Sequence, residues 1–386
     1  MLLQFPYWFG CCMYFAFAVT TLVDHGWSYS ATAATMTAIS VITMLTQPLF
    51  GFISDKAQSE KKLTIALMIL AAIFILLMPF SFDSGSMVLI FLNMAGLSVA
   101  VAQVGGLIDA WIVGLKQEYP SVNYGIIRGT GSLSFAIASQ VAGMLTVAFG
   151  HNVRLWVGFG FLLLTIFVAI SFRAARRTGQ EVTEESQVQK LTGPEAIRLV
   201  FSSKRYTLLL VVSFFLMLSN TTMSMIVQLM IRDFSGTAAH IGTASAVMAG
   251  SEVPLMFLMA TLLKRFGFKK LILVCGTFYV IRMLITSSVS SVDGIIYVQL
   301  LQGLTYAILM PLSMSYLSQI LDERIRSTAV TTYAAVTVGL TGILGNLITT
   351  TLLAAGFSAQ AALIVFSASA LIGLSLAVYG VIRKIW

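Results

Sequence analysis

Charged residues are scarce in this chain of 386 residues: Asp, Glu, Lys and Arg together make up 10% of it. Hydrophobic residues make up 58%, and the mean hydropathy is +0.92. Soluble globular domains carry about 25% charged residues, so this composition excludes that class. The sequence therefore describes a protein that crosses a membrane many times.

Cysteine and histidine are also rare, with three residues of each type. Cys11 and Cys12 are adjacent and Cys275 is distant in sequence, so we expect no disulfide framework and no metal site. The sequence offers no nucleophile with a base, no phosphate-binding loop and no cofactor motif. We therefore expect neither an enzyme nor a bound cofactor.

Hydrophobic stretches of about 20 residues recur along the whole chain, and each is long enough as a helix to cross a hydrocarbon core of about 30 Å. They are apolar on every face, whereas the strands of a β-barrel alternate apolar and polar residues. We predict an all-α membrane protein with twelve helical spans. The predicted spans are residues 3–23, 31–54, 63–82, 86–114, 121–149, 154–173, 206–231, 239–263, 270–289, 294–321, 328–353 and 360–382.

Lys and Arg are distributed asymmetrically between the loops. The segments after spans 2, 4, 6, 8 and 10 and the C-terminal tail hold 19 of the 23. Arg154 and Arg232 fall on the other side, and Arg128 and Arg282 within spans. We call the Lys- and Arg-rich side the basic side and the other the opposite side. This asymmetry predicts that both termini are cytoplasmic, and it explains the net charge of +8 without a nucleic-acid partner. We expect the protein to lie in the inner cell membrane.

A polar interval divides the chain in two. We predict a first six-helix half over residues 1–173, a cytoplasmic linker over 174–205 and a second six-helix half over 206–386. Within the linker, residues 194–201 form either a short amphipathic helix or a disordered strap. A basic hairpin joins the second and third spans of each half, which indicates internal duplication and two pseudo-symmetric bundles.

Several segments resemble the major facilitator superfamily, and within it the lactose permease (oligosaccharide:proton symporter) branch and the related phenylpropionate permeases. The loop after span 2, with Lys61 and Lys62 at its end, carries the signature of the superfamily. The segments that carry the resemblance are 47–56, 109–135, 250–254, 280–282 and 298–306. The resemblance implies the twelve-helix major facilitator fold.

Two charges lie inside the first half at equal predicted depth. Asp109 is seven residues before Lys116, and Arg128 is seven after Ser121, so each lies about 10 Å from the basic side. Buried ions are expensive in hydrocarbon and usually line a polar cavity. Two roles are therefore open for Asp109 and Arg128: they bind solute, or they form an ion pair that locks two helices together.

Polar and aromatic residues extend this candidate solute site. Ser132 and Phe135 follow Arg128 at helical spacing, and the resemblance implies that the acid, the arginine and the aromatic contact a sugar. On the other half, Gln299, Gln302 and Tyr306 share one face of span 10. Asn220 on span 7 completes the predicted substrate-binding set.

A second charged pair, Glu252 and Arg282, lies about 18 Å from the basic side on neighbouring spans. Such a pair can bind and release a proton as water access changes, and the resemblance implies that role for Arg282. Gln302 replaces the histidine that these families carry in span 10, and it cannot hold a proton. The alternatives are a permanent ion pair, sodium coupling and facilitated diffusion.

The turn after span 2 is the predicted cytoplasmic gate. The resemblance implies that Gly51, Asp55, Lys61 and Lys62 latch the two halves on the basic side. Gly51 permits a close approach of helices, and the two lysines lie at the level of anionic headgroups.

The predicted function is proton-coupled uptake of a small polar organic solute by alternating access, with sugars or glycosides first and nucleosides or aromatic acids next. The alternatives are proton-driven efflux of amphipathic compounds and a non-transporting sensor or scaffold. The expected partners are the solute, a proton or sodium ion and the lipid bilayer, and we expect a monomer.

Overall fold

The computed structural model describes residues 2–57, 60–118, 124–172, 193–321 and 323–386 of the chain. Within these segments some side chains, those of Asp109 and Arg128 among them, lie outside the described set. The described segments are helical almost throughout, as their continuous hydrophobic runs predict.

The described helices follow the predicted spans closely. In the first half they are Gln4–Phe15 and Ala18–Asp24 (span 1), Tyr29–Ala57 (span 2), Glu60–Asp83 (span 3), Met87–Glu118 (span 4), Tyr124–Phe149 (span 5) and His151–Ser171 (span 6). In the second half they are Lys204–Thr221 and Met223–Asp233 (span 7), Ala238–Ser288 (spans 8 and 9), Val292–Val298, Gln299–Gln302 and Tyr306–Ile320 (span 10), Glu323–Ala334, Ala335–Leu340 and Thr341–Ala354 (span 11), and Ala359–Ile382 (span 12).

Spans 8 and 9 form one continuous segment of 51 residues that bends sharply at Gly267. Gly267 has a φ of 72°, a backbone conformation that residues with a side chain rarely adopt. In the described part of the chain, 11 helical segments are long and apolar enough to cross a membrane. Because this segment holds two of the spans, the predicted twelve-helix membrane fold is confirmed.

The end of the predicted linker is a helix, Gly193–Ser202. Its Val200 is buried, whereas Leu199 and Phe201 are exposed. Exposed apolar residues beside a buried one are typical of a helix that lies at a membrane surface. Of the two alternatives for residues 194–201, the described conformation is therefore the helix.

The chain divides into two compact units. The first unit contains Met1–Gln180 and Ile231–Gly250, and the second contains Glu181–Met230 and Ser251–Trp386. The core of the first unit is packed with large apolar side chains from spans 3 and 4, including Met68, Ile75 and Met94. In the second unit, Phe268, Tyr316 and Trp386 form an aromatic cluster.

Candidate functional site

Arg282 is the centre of a polar network inside the second unit. Its side chain is 0% exposed, and Nη1 donates a hydrogen bond of 3.0 Å to Asn220 Oδ1. Nη1 also donates to Gln302 Oε1, and Nη2 donates to Gln299 Oε1 at 2.9 Å. Three of the predicted solute-binding residues therefore meet at one guanidinium. Nε has no partner among the described residues.

Gln302 connects this arginine to Glu252. A guanidinium has no acceptor, so the amide oxygen of Gln302 must face Arg282. The amide nitrogen then faces the other way and donates to Glu252 Oε1 at 3.0 Å. The predicted pair is thus joined through a neutral amide whose dipole points from one charge to the other. The network connects spans 7, 8, 9 and 10.

Span 10 loses its regular helix where it carries these glutamines. A helix ends at Val298, a tighter turn covers Gln299–Gln302, and a new helix begins at Tyr306. Interrupted helices at the level of a binding site are common in transporters, because the freed backbone groups can bind ions or solute. Tyr306, the remaining predicted residue of this span, is partly exposed.

Two backbone groups beside this interruption also bond to side chains of neighbouring spans. The hydroxyl of Ser251 accepts from the Gly303 amide at 3.1 Å, and Cys275 Sγ donates to Thr305 O at 3.3 Å. A Cβ on Gly303 would lie 3.1 Å from the carbonyl carbon of Ser251, so glycine permits this close approach. Ser251 thereby holds Glu252 beside the interruption.

The predicted solute face of span 5 is divided between two environments. Ser132 is buried, at 8% exposure, and Phe135 is partly exposed. Ser139, on the same face, lies 3.1 Å from Cys12 Sγ and donates to Phe135 O, so it serves packing against span 1. The helices that carry Asp109 and Arg128 are described, but the contacts of these two side chains lie outside the described set.

Arg154 is a buried residue that the sequence had indicated to be a loop residue of the opposite side. It is 1% exposed and lies beside a break in span 1, where one helix ends at Phe15 and the next begins at Ala18. The Phe17 amide bonds to Tyr14 O, which leaves Met13 O free, and Arg154 Nη1 donates to that carbonyl. No glycine or proline marks the break, so the sequence pattern did not reveal it.

The rest of the guanidinium is held by the second segment of span 1. Nη2 of Arg154 donates to Thr21 Oγ1 at 2.8 Å, and its Cζ lies 4.8 Å from the centre of the Phe17 ring. These acceptors are fixed backbone and hydroxyl groups of one span. Arg154 therefore stabilises the broken helix, and its partners offer no titratable acid.

An ionic cluster lies on the opposite side of the first unit. Asp24 ends span 1, where the helix dipole disfavours a negative charge. Its carboxylate bonds to Arg232 and lies 3.0 Å from His151 Nε2, and Tyr29 donates to Asp233 Oδ1 at 2.7 Å. The cluster ties spans 1, 2 and 6 to residues 232 and 233.

The predicted gate residues are described only in part. Lys61 Nζ donates to Ile170 O at 2.8 Å and to Phe172 O, so it satisfies carbonyls at the end of span 6. Lys62 is exposed, and the contacts of Gly51 and Asp55 lie outside the described set. Among the described residues, no group of three His, Cys, Asp or Glu side chains could hold a metal ion.

Comparison with known proteins identifies the family. A family model described as the MFS_1 like family matches residues 9–366 of the chain. This chain belongs to that family of the major facilitator superfamily. Within the family it is 29% identical over 300 residues to the maltose permease of Geobacillus stearothermophilus, which covers 78% of this chain and 73% of the permease. It is also 26% identical over 137 residues to the lactose permease of Klebsiella oxytoca. That match covers 34% of this chain and 32% of the lactose permease.

Solved structures share the major facilitator fold with this chain. A point mutant of the nucleoside transporter NupG superposes with a TM-score of 0.80 over 98% of both chains at 16% identity. The D-xylose-proton symporter superposes with a TM-score of 0.74 over 100% of this chain and 95% of its own at 12% identity. The predicted fold and the resemblance to lactose permease are confirmed. The chain is a multi-pass membrane transporter and not an enzyme.

Proposed function

We propose that this transporter couples uptake of a sugar or glycoside to entry of protons, by alternating access of its two six-helix halves. The observation that carries this proposal is the chain of hydrogen bonds from the buried Arg282 through Gln302 to the partly buried Glu252. The relatives named maltose permease and lactose permease support the solute class. Carboxylate, guanidinium and amide groups suit the hydroxyl groups of such solutes.

Proton coupling follows from the charges in this network. An ionised Glu252 orients the Gln302 amide, which in turn holds the guanidinium of Arg282. When Glu252 is protonated it attracts the amide N–H less strongly, and Gln302 is released to turn. The hydrogen bonds that join the network are then replaced by hydrogen bonds to solute hydroxyl groups. The residues that change partner are Arg282, Gln299, Gln302 and Asn220. A proton therefore changes the affinity for solute through one amide side chain.

The solute contacts that we propose come from both halves. Asp109, Arg128, Ser132 and Phe135 belong to the first half; Asn220, Gln299, Gln302 and Tyr306 belong to the second. Their placement on helices inside the membrane supports a role in binding a polar solute, since polar side chains there are otherwise costly.

We also propose the location and the gate. The basic side faces the cytoplasm of a monomer in the inner cell membrane, which the distribution of Lys and Arg supports. Gly51, Asp55, Lys61 and Lys62 form the gate on that side. In the described conformation Lys61 is bonded to Ile170 O and Phe172 O, so gating by Lys61 requires release of these two carbonyls.

Transport by purified protein in liposomes tests this function. We expect an inward proton gradient to drive accumulation of labelled maltose or lactose above the external concentration, and a protonophore to abolish it. Uridine and phenylpropionate in the same assay test nucleosides and aromatic acids as solutes. Each compound is also measured with a sodium gradient, which tests sodium as the coupling ion. Accumulation of none of these compounds under either gradient would contradict the proposal.

The coupling role of Glu252 is tested by Glu252→Gln, with Glu195→Gln in the exposed helix Gly193–Ser202 as the matched control. The neutral amide preserves shape and removes the titrating group. We expect Glu252→Gln to keep counterflow of solute and to lose accumulation against a gradient, while Glu195→Gln keeps both. Uphill accumulation by Glu252→Gln at the wild-type level would exclude this residue.

A further inference from the structure

Trp8 of span 1 lies where spans 1, 4 and 5 meet in the first unit. Its ring centre is 6.5 Å from that of Phe135 on span 5, and the two ring planes make an angle of 68°. A Cβ on Gly105 of span 4 would lie 3.8 Å from Cζ2 of the indole. All three residues are partly exposed. The indole is therefore in reach of two helices without being enclosed.

The polar atom of the indole is already bonded within span 1. Trp8 Nε1 donates to Gln4 Oε1 at 2.6 Å, and Gln4 is 1% exposed. Tyr7 packs edge-on against the ring at 5.3 Å, and its hydroxyl donates to Val101 O at 3.0 Å. These contacts fix the orientation of the indole. Because the N–H group of the indole already has a partner, what the indole offers a solute is its apolar ring surface.

Trp8 contacts the same helix faces that carry the proposed solute residues. Gly105 is four residues before Asp109, about one helical turn, and Phe135 is seven residues after Arg128, about two turns. Both contacts of Trp8 are displaced from the charges in the same direction, toward the opposite side. The aromatic pair therefore lies on the helix faces that carry positions 109 and 128, one to two turns along each helix.

We propose that Trp8 is a further solute-binding residue, which forms with Phe135 an aromatic corner for the apolar face of a pyranoside ring. This inference rests on the proposed function. Of two nearly perpendicular rings, one can stack on the C–H face of a sugar and the other can contact its edge. We expect Asp109 and Arg128, on the same helix faces, to bind the hydroxyl groups of the sugar. The corner selects ring-shaped solutes with one apolar face over flexible polar solutes.

Binding of labelled maltose to purified protein measures the contribution of Trp8. We expect Trp8→Ala to weaken binding about tenfold or more, and Trp8→Phe to weaken it less, because a smaller ring surface remains. The matched control is Trp156→Ala, which removes a tryptophan that is 44% exposed on span 6. We expect that control to bind maltose as the wild type does. Wild-type affinity in folded Trp8→Ala would overturn the inference.

Chemical protection supplies a measurement that leaves Trp8 in place. In a protein whose three cysteines are replaced by alanine, Gly105→Cys introduces a thiol within van der Waals reach of the indole. We expect maltose to slow alkylation of this thiol by a maleimide. Gly160→Cys on span 6, where an added Cβ has no neighbour within 4 Å, is the control and should react at a rate that maltose does not change.

The two assays separate failure of the inference from failure of the proposed function. If the wild type binds maltose while Trp8→Ala binds it equally well and Gly105→Cys is not protected, Trp8 is not a solute contact and the proposed function stands. If the wild type binds neither maltose nor lactose, the sugar class itself is wrong, and the aromatic corner falls with it.

Discussion

Arg154 in the first unit and Arg282 in the second are both almost completely buried, and each lies beside a span whose helix is interrupted. Each also has an Nε without a partner among the described residues. Their acceptors differ. Arg154 binds a backbone carbonyl, a threonine hydroxyl and a phenyl ring. Arg282 binds three side-chain amides, one of which continues to a carboxylate.

This difference in acceptors separates a structural arginine from one that can take part in a transport cycle. Backbone carbonyls cannot leave their helix, so the bonds of Arg154 persist as long as span 1 is folded. Amide side chains can rotate, and Gln302 is oriented by a group that can gain a proton. Burial alone would therefore have assigned the two arginines the same role, whereas their partners assign different ones.

The largest effect that we expect comes from Arg282→Lys. Lysine keeps the charge but loses the fork that binds Asn220, Gln299 and Gln302 together. Two lost charge-assisted hydrogen bonds, each of about 1.5–3 kcal/mol, correspond to a loss of solute accumulation of about 100-fold or more. Labelled maltose uptake per folded molecule measures it. Accumulation within threefold of the wild type would show that the network is not needed.

Arg154→Lys is the matched variant in the other unit. We expect it to lower stability and to leave transport nearly unchanged. Losing the bond to Thr21 or to Met13 O should lower the free energy of unfolding by about 1–3 kcal/mol. Thermal melting of the purified protein shows this loss, and transport per folded molecule should change little. If Arg154→Lys instead melts as the wild type does and fails to transport, the distinction between the two arginines is wrong.

Gln302→Leu sharpens the comparison by removing the connection and keeping both charges. We expect accumulation to fall about tenfold while exchange of solute continues, because the link to Glu252 is lost but Arg282 keeps its bonds to Asn220 and Gln299. The control is Gln360→Leu, which removes a glutamine whose amide nitrogen donates to the main-chain carbonyls of Ser287 and Val289. Equal accumulation by these two variants would argue against a relay through Gln302.

The smallest effect concerns the ionic cluster on the opposite side. Asp24 and Arg232 are partly exposed, and pairs of that kind contribute about 0–1 kcal/mol. Asp24→Asn should therefore shift the melting temperature by a few degrees at most, and high salt should reduce the difference from the wild type. A loss as large as that of Arg154→Lys would mean that the cluster is a structural site too.

The sequence predicted the twelve spans well because length and hydrophobicity decide whether a segment crosses a membrane. It predicted the approach of Glu252 and Arg282 from their matching depths, but it did not predict that Gln302 lies between them. That arrangement depends on the interruption of span 10 after Val298, which Ser251 and Gly303 stabilise through contacts between distant segments.

Arg154 shows the limit of counting charges by loop. It lies three residues after the start of the helix of span 6, at the end of a hydrophobic run, where the distribution of charges predicts a position on the opposite side. Its burial follows from the break at residues 16 and 17 of span 1, where no glycine or proline occurs. The sequence indicates no role for Trp8 for a related reason, because an aromatic residue in an apolar span has no signature until its neighbours on other helices are known.

The most direct test of the account is the proton movement that accompanies solute entry. Proteoliposomes in a weakly buffered medium receive maltose, and a pH electrode records the external medium. Wild-type protein should make the medium more alkaline as protons enter with the sugar, and Glu252→Gln should give no such change while it still exchanges labelled maltose. Alkalinisation by Glu252→Gln at the wild-type rate would contradict the central claim that protons are coupled to solute through the Arg282, Gln302 and Glu252 network.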